Sequence, residues 1–288
     1  FTMKAALLKG LNYFEIEEIE KPVPSDHEVL VKVKAAGICG SDIHKMQNEW
    51  KYELPMVTGH EFSGVIESIG TEVKKVSVGD RVAIAPLIPC HECTYCKSGK
   101  YQLCENYTMI GSHRYGGFEE YVTVPEENVI NIGENISFEE AAMIEPLAVA
   151  AHGVMGLDPK LGDTVAVFGL GTIGILTVQW LRLTGVKKII GIDIDPNKIK
   201  EAMKYGVTDT INSLEESLED RIFELTDNKG VDIAIECAGS KITEEQCLLI
   251  TRKGGLIGYQ GIAYSDVLLH QKAFENIFRR EYTIKGFW

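Results

Sequence analysis

The amino-acid sequence predicts an α/β chain: a β-rich first part, then a doubly wound parallel sheet. Three observations carry this. An apolar run, Val165-Ala166-Val167-Phe168, leads straight into the G-x-G-x-x-G turn Gly169-Leu170-Gly171-Thr172-Ile173-Gly174. Before about position 131, short runs alternate with the period of two that strands show, punctuated by Gly and Pro. From 164 onward, strand-like and helix-like runs take turns, the pattern of βα units.

In order along the chain, residues 3–35 alternate in the strand manner. In Val29-Leu30-Val31-Lys32-Val33-Lys34 the valines face one way and the lysines the other. Gly64-Val65-Ile66-Glu67-Ser68-Ile69-Gly70 and Asp80-Arg81-Val82-Ala83-Ile84 read as further strands. A helix from about Phe138 to Met155 leads out of this part. The second part predicts a helix over Ile173–Leu183, rich in Ile, Leu, Val and Trp, and a strand over Lys188–Ile192. Strand Val231–Glu236, helix Lys241–Thr251, strand Gly255–Tyr259, a helix around Gln271–Arg280 and strand Tyr282–Lys285 complete it. Two domains are expected, residues 1–150 and 151–288. No repeat beyond the βα units and no low-complexity linker is visible.

Hydrophobic content of 45% and charged content of 25% are those of a soluble globular chain. The 29 basic and 42 acidic residues give a net charge of −13, which argues against non-specific nucleic-acid binding and anionic membranes. No apolar run approaches membrane-spanning length, and FTMKAALLKG has no secretory pattern. Phe1-Thr2 before Met3 resembles a tag remnant, so the natural start is expected at Met3. Seven cysteines, four of them between positions 90 and 104, predict metal in a reducing cytoplasmic compartment over disulfides.

The glycine turn has a chemical reading. Gly169 permits the tight exit from the strand, Gly171 lets backbone approach a pyrophosphate, and Gly174 lets the helix lie close on the sheet. The N–H groups opening the helix, with Leu170, Thr172 and Ile173 filling the turn, offer themselves to phosphates. Asp193, nineteen residues past Gly174, is positioned to accept from the adenosine ribose hydroxyls. Its carboxylate would repel a 2′-phosphate, so NAD is expected over NADP. Lys198 is the basic residue near enough to reach a phosphate, though it does not decide between the two.

Cys90, Cys93, Cys96 and Cys104 stand as C-x2-C-x2-C-x7-C. Four thiolates in one short loop close a tetrahedral zinc site of the structural type. His91, inside the cluster, is a bystander when four sulfurs are available. A dispersed second set is Cys39, His60, Glu61 and Glu145. One thiolate, one imidazole and one carboxylate would leave a fourth zinc position open. On spacing alone, a lone Cys and His are more often core residues. Asp42 either orients His60 or caps a helix starting at Ile43. Cys237 and Cys247 read as small buried apolar residues.

The combination GHEFSGVIESIG, GDRVAI, the four-cysteine loop, IEPLAV and VFGLGTIG resembles the zinc-dependent medium-chain dehydrogenases. The resemblance runs from about Met3 to Trp288. It implies a GroES-like catalytic domain on a Rossmann nicotinamide-binding domain, two zinc ions per chain, NAD, and a homodimer or homotetramer. It implies Cys39 and His60 as catalytic zinc ligands, with Glu61 an alternating or nearby one. Glu145 followed by Pro146 looks like the polyol branch, where the alcohol-dehydrogenase branch has Cys. Ser41 is implied to pass the alcohol proton through the cofactor ribose to His44.

PLIPCHECTYCKSGKYQLCENYTMIGSHRYGGFEEYV and IFRREYTIKGFW are similar to members that oxidise galactitol 1-phosphate. The implied substrate is therefore a polyol or polyol phosphate, with Arg114 the candidate phosphate contact. Family members continue past the position of Trp288 back into the catalytic domain, so part of the substrate cleft is expected to be missing here. Other polyol or amino-alcohol dehydrogenases, such as sorbitol, threonine or butanediol dehydrogenases, share the mechanism. A zinc-independent enone reductase is disfavoured by Cys39, His60 and Glu145. A non-catalytic NADH sensor is separated from all of these by a turnover test.

Overall fold

The computed structural model describes residues 1–48 and 50–288. Contacts along the chain group it into two compact units, Phe1–Glu145 and Pro146–Trp288.

In chain order the first unit holds β1 (Thr2–Gly10), β2 (Tyr13–Glu20), β3 (Glu28–Gly37), α1 (Gly40–Gln47), β4 (Met56–Val57) and β5 (Glu61–Ile69). Next come β6 (Arg81–Ile84), β7 (Leu87–Ile88), α2 (Thr94–Lys97), β8 (Thr108–Met109), β9 (Tyr121–Pro125), β10 (Val129–Asn131) and α3 (Phe138–Ala142). Helix α4 (Ile144–Leu157) spans the division.

A five-stranded antiparallel sheet, β10-β6-β5-β3-β9, forms the centre of this unit, and β2-β1-β4 a smaller one. Val29, Val31, Phe62, Ile66, Val82, Ile84, Val122 and Val124 bury together on one side of the larger sheet. Strict alternation fails at the start of β3, where Leu30 is buried beside Val29 and Val31 while Val33 is only half-buried.

The second unit holds β11 (Thr164–Phe168), α5 (Thr172–Thr184), β12 (Lys188–Asp193), α6 (Pro196–Ala202), β13 (Asp209–Asn212), α7 (Leu218–Leu225) and β14 (Val231–Glu236). It closes with α8 (Lys241–Ile250), β15 (Thr251–Tyr259), α9 (Gln271–Arg279) and β16 (Thr283–Gly286). The strands make one parallel sheet in the order β13-β12-β11-β14-β15-β16.

Both faces of this sheet are covered. Val165, Val167, Ile189, Ile233 and Ile235 pack under α4, α5 and α6 through Val154, Leu157, Val178, Leu181 and Ala202. Ala166, Phe168, Ile190, Ile192 and Ala234 pack under α7, α8 and α9 through Leu218, Ile222, Cys247, Leu248 and Ala273. Two-sided burial is why these strands read as unbroken apolar runs. The strand order reverses between β11 and β14, and ligands bind outside the carboxyl ends of strands at such a point.

The predicted helix over 138–155 is two helices. Ser137 and Glu140 form a capping box that starts α3, which ends at Met143, and α4 starts at Ile144. The reason is Pro146: a helix running through it would need a donor to Ala142 that proline lacks, whereas the first turn of a new helix tolerates it.

Candidate metal centres and dinucleotide turn

The four-cysteine loop brings its sulfurs together. Cys90, Cys93, Cys96 and Cys104 are all free thiols, and their sulfurs lie within 4.8 Å of one another. Cys90 Sγ and Cys96 Sγ are 3.9 Å apart. Four thiolates at about 2.3 Å from a tetrahedral zinc would be about 3.8 Å apart, so the set fits the ion. Backbone amides turn inward: Cys93 N donates to Cys90 Sγ at 3.4 Å, Cys96 N to Cys93 Sγ at 3.5 Å and Cys90 N to Cys104 Sγ at 3.2 Å. The amides of Glu105 and Cys96 pull the Cys93 thiol down to about 6, while burial pushes that of Cys96 up to about 12. His91 turns away to Glu127, 2.9 Å from its Oε2.

The second set is assembled by β3, α1 and β5. Cys39 is the N-cap residue of α1 and makes no side-chain cap bond, so its sulfur is available. Gly59, at φ +93°, turns the chain so that His60 and Glu61 enter β5 pointing inward, 4% and 7% exposed. A Cβ on Gly37, opposite Glu61 in the β3–β5 ladder, would overlap Glu61 Oε2. Ligand atoms of Cys39, His60 and Glu61 lie within 4.8 Å of one another. Glu145 is not in that cluster, yet its carboxyl feels His60, Glu61 and Asp42.

Fully buried Asp42 has an oxygen 3.2 Å from His60 Nδ1, without hydrogen-bond alignment. Asp42 lies in the first turn of α1, not at its cap, which leaves the His60-facing alternative. Ser41 Oγ is 3.2 Å from Cys39 Sγ, and half-buried His44 follows on the same helix.

The electrostatics suit a cation. Burial opposes protonation of His60, but Asp42 and Cys39 outweigh it and hold the imidazole up at about 10. Burial lifts the carboxyls of Glu61 and Glu145, the latter to about 7. Crowded buried acids beside an imidazole and a thiol are the donor set a divalent metal relieves.

At the dinucleotide turn each glycine has a distinct reason. Gly169 sits at φ +81°, and a Cβ there would lie 2.8 Å from Ala238. A Cβ on Gly174 would overlap Gly169 O, so the start of α5 packs tightly on the turn. Around Gly171, the N-cap of α5, there is open space. Asp193 ends β12, where Oδ2 accepts from Leu170 N at 2.7 Å and Oδ1 from the amides of Ile194 and Asp195 at 2.8 and 2.9 Å. The carboxylate therefore braces the turn itself. Thr172 and Ile173 open α5, and Lys198 is exposed on α6.

Arg114 is held. Its Nη2 donates to Glu28 Oε1 at 2.6 Å and to Thr123 O and Oγ1 at 3.0 Å. The loop carrying it is seated against the turn before His60, with Gly116 N donating to Val57 O and Gly117 N to Gly59 O. Arg114 lines a cavity of about 390 Å³ with Pro22, Tyr115, Glu119 and Thr123.

Comparison with known proteins follows this division. Residues 25–134 match the model of the alcohol dehydrogenase GroES-like domain, and 172–288 that of the zinc-binding dehydrogenase family. Sorbitol dehydrogenase of Bacillus subtilis (strain 168) is 35% identical over 265 residues, 90% of this chain and 75% of that protein. The chain belongs to the zinc-binding alcohol dehydrogenases.

Another relative in this family is galactitol 1-phosphate 5-dehydrogenase of Escherichia coli (strain K12), 34% identical over 272 residues, 94% of this chain and 79% of that protein. A zinc-binding dehydrogenase structure from Sinorhizobium meliloti 1021, bound to NADP, aligns with a TM-score of 0.95 at 34% identity, covering 100% of this chain and 84% of that one. As a zinc-binding alcohol dehydrogenase the chain is an oxidoreductase that uses zinc and a nicotinamide dinucleotide and acts on small-molecule alcohols. No described helix is long and apolar enough to cross a membrane.

Two residues that pattern reading missed are Glu119 and Glu236. Glu236 carries a legible signal, a lone acid ending the apolar run of β14, Val231-Asp232-Ile233-Ala234-Ile235-Glu236.

Proposed function

We propose that this dehydrogenase oxidises a secondary alcohol of a polyol or polyol phosphate with NAD, galactitol 1-phosphate being the first substrate to test. The observation that carries the reading is the convergence of Cys39, His60 and Glu61 within 4.8 Å in a buried, acid-rich site. Similarity to a sorbitol and a galactitol 1-phosphate dehydrogenase supports the polyol class.

Cys39, His60 and Glu61 would hold one zinc, with Glu145 beside them as the alternative carboxylate, direct or through water. Cys90, Cys93, Cys96 and Cys104 hold a second. Zinc, when bound, supplies a Lewis acid that favours alcohol ionisation, and the nicotinamide supplies a hydride acceptor. Asp42 keeps the His60 ring oriented through Nδ1, leaving Nε2 as the ligand nitrogen. Ser41 Oγ accepts the alcohol proton while giving up its own in the outward direction, toward His44.

The turn at Leu170–Gly174 binds pyrophosphate, Asp193 the adenosine ribose, and Lys198 stands by the phosphates. Arg114 meets the substrate phosphate through Nε and Nη1, since Nη2 is engaged by Glu28 and Thr123.

The test is a panel of hexitols, hexitol 1-phosphates, threonine and butanediol, read by NADH absorbance. Highest kcat/KM on a hexitol 1-phosphate is expected. Preference for threonine or butanediol would overturn the polyol reading, and preference for a free hexitol would overturn the phosphate.

A further inference from the structure

We propose that Glu236 is a positioning residue that shapes the nicotinamide half of the dinucleotide site. The proposal rests on reading the Gly169–Gly174 turn as that site. Glu236 is the last residue of β14, fully buried, and paired in register with Phe168 on one side and Tyr259 on the other. Phe168 is the residue immediately before Gly169. Glu236 therefore sits at the carboxyl edge of the sheet, on the strand where the winding order reverses.

Its partners are loop amides and one hydroxyl. Oε1 accepts from Ala238 N at 2.9 Å, Gly239 N at 3.0 Å and Thr243 Oγ1 at 2.7 Å, and Oε2 accepts from Gly239 N at 3.1 Å. Its main-chain carbonyl accepts from Gln260 N at 2.9 Å and Gly261 N at 3.0 Å. No Lys, Arg or His pairs with its side chain among the described residues. The carboxylate is thus held by amides of the 237–240 loop and by the Thr243 hydroxyl of α8, while the amides of Gln260 and Gly261 hold the main-chain carbonyl of the same residue.

Those loops reach the turn. A Cβ on Gly169 would lie 2.8 Å from Ala238, Cys237 N donates to Phe168 O at 2.8 Å, and Gly239 leaves no room for a Cβ against Ile262 O. The carboxylate therefore fixes the 237–240 loop by hydrogen bonds, and that loop in turn packs on the glycine turn at Ala238 and on the 260–262 loop, where a Cβ on Gly261 would overlap Glu236 Oε2. Asp193, on β12, occupies the adenosine side of this crevice, so the β14 and β15 loops face the other half of the dinucleotide. Replacing Glu236 by an amide of the same shape sets an NH2 group against amide donors, which displaces the loops without opening a cavity.

Calorimetric titration of the full chain with NAD and with AMP tests this, alongside thermal melting. Glu236→Gln is expected to weaken NAD by about tenfold or more while AMP, which uses the Asp193 side alone, changes by less than about twofold. With saturating alcohol, KM for NAD should rise more than kcat falls. Thr243→Val, which keeps the carboxylate and removes one donor, should weaken NAD by about threefold or more, and Thr243→Ser should restore it. NAD affinity unchanged in both Glu236→Gln and Thr243→Val overturns the proposal, as does equal weakening of NAD and AMP. Failure of the unaltered chain to bind either nucleotide would instead overturn the reading of the turn as the dinucleotide site. If Glu236→Gln does not fold, the Thr243 pair decides.

Discussion

Glu119 is a carboxyl held in the interior of the first unit, 7% exposed, with Oε2 lacking a hydrogen-bond partner among the described residues. Burial alone pushes it up to about 8. The native state therefore keeps a proton that the unfolded chain, at an ordinary carboxyl value near 4.5, has already lost. The sign follows: the folded form is favoured below about 4.5 and progressively penalised as pH rises to about 8. Glu119→Gln should remove this slope and raise stability at pH 8 by roughly 1–3 kcal/mol, the usual cost of an unsatisfied buried group. Urea titrations of both proteins across that window check it, and parallel pH profiles would refute it.

Asp193 braces the glycine turn and is proposed to bind the ribose as well. Its oxygens accept three backbone amides, and a carboxylate has about four acceptor sites, so one remains for a ribose hydroxyl. Asp193→Ser should both narrow the preference for NAD over NADP and lower the melting temperature, because Leu170 N loses its acceptor. A wild-type kcat/KM higher for NADP than for NAD would contradict the first part. Arg114→Ala should weaken a hexitol phosphate by about tenfold to a hundredfold relative to the free hexitol, the worth of a charged hydrogen bond of about 1.5–3 kcal/mol. Equal losses for both would take Arg114 out of the substrate site.

At the scale of elements, the four-cysteine loop and the glycine turn give separable expectations. Cys93→Ser should lower stability with little direct effect on chemistry, whereas Cys39→Ser should abolish turnover and leave melting nearly unchanged. Metal analysis should find two zinc ions per loaded chain; one ion in a fully active chain would break the pairing. Gly174→Ala forces a methyl into Gly169 O, costing about 1–3 kcal/mol and weakening NAD.

These elements were readable because their spacing encodes them. The strands β11, β12 and β14 showed as apolar runs since both faces are buried, and β3 showed only in part because its start is buried on both faces while Val33, packed on the core, is only half-buried. In the second unit three elements went unread: β13, whose Asp209-Thr210-Ile211-Asn212 buries only Ile211, and the short helices α6 and α7. Pro146 held the information that splits 138–155, but the apolar continuity on either side masked it. Among the candidate metal ligands, spacing exposed the four thiols at once. The meeting of Cys39 with His60 and Glu61 depends on the β3–β5 register, which no local pattern reveals.

For the whole molecule, the proposed function has metal and nucleotide address different units. A chelator should raise hydrogen exchange in the first unit, most of all across 90–104 and around Cys39 and His60, and leave the second unchanged. NAD should slow exchange at Leu170–Thr172 and Ile194–Asp195. Protection by NAD across the cysteine loop at full metal occupancy would contradict this separation.

The parallel sheet also sets a schedule for synthesis. Thr164 N, at the head of β11, donates to an oxygen of Asp232 in β14, 68 residues later. At about 5–20 residues per second, a ribosome takes roughly 3–14 s to supply that partner. Until then β11 has β12 on one edge and α4, α5 and α6 on one face, while its β14 edge and the face later covered by α8 and α9 stay open. Nascent chains arrested before Val231 should be protease-sensitive across 164–193, and chains extended past the exit tunnel beyond Tyr259 should resist. The vulnerable moment of this protein is thus its birth, and slow growth at low temperature with ample chaperone should raise its soluble yield more than any surface substitution.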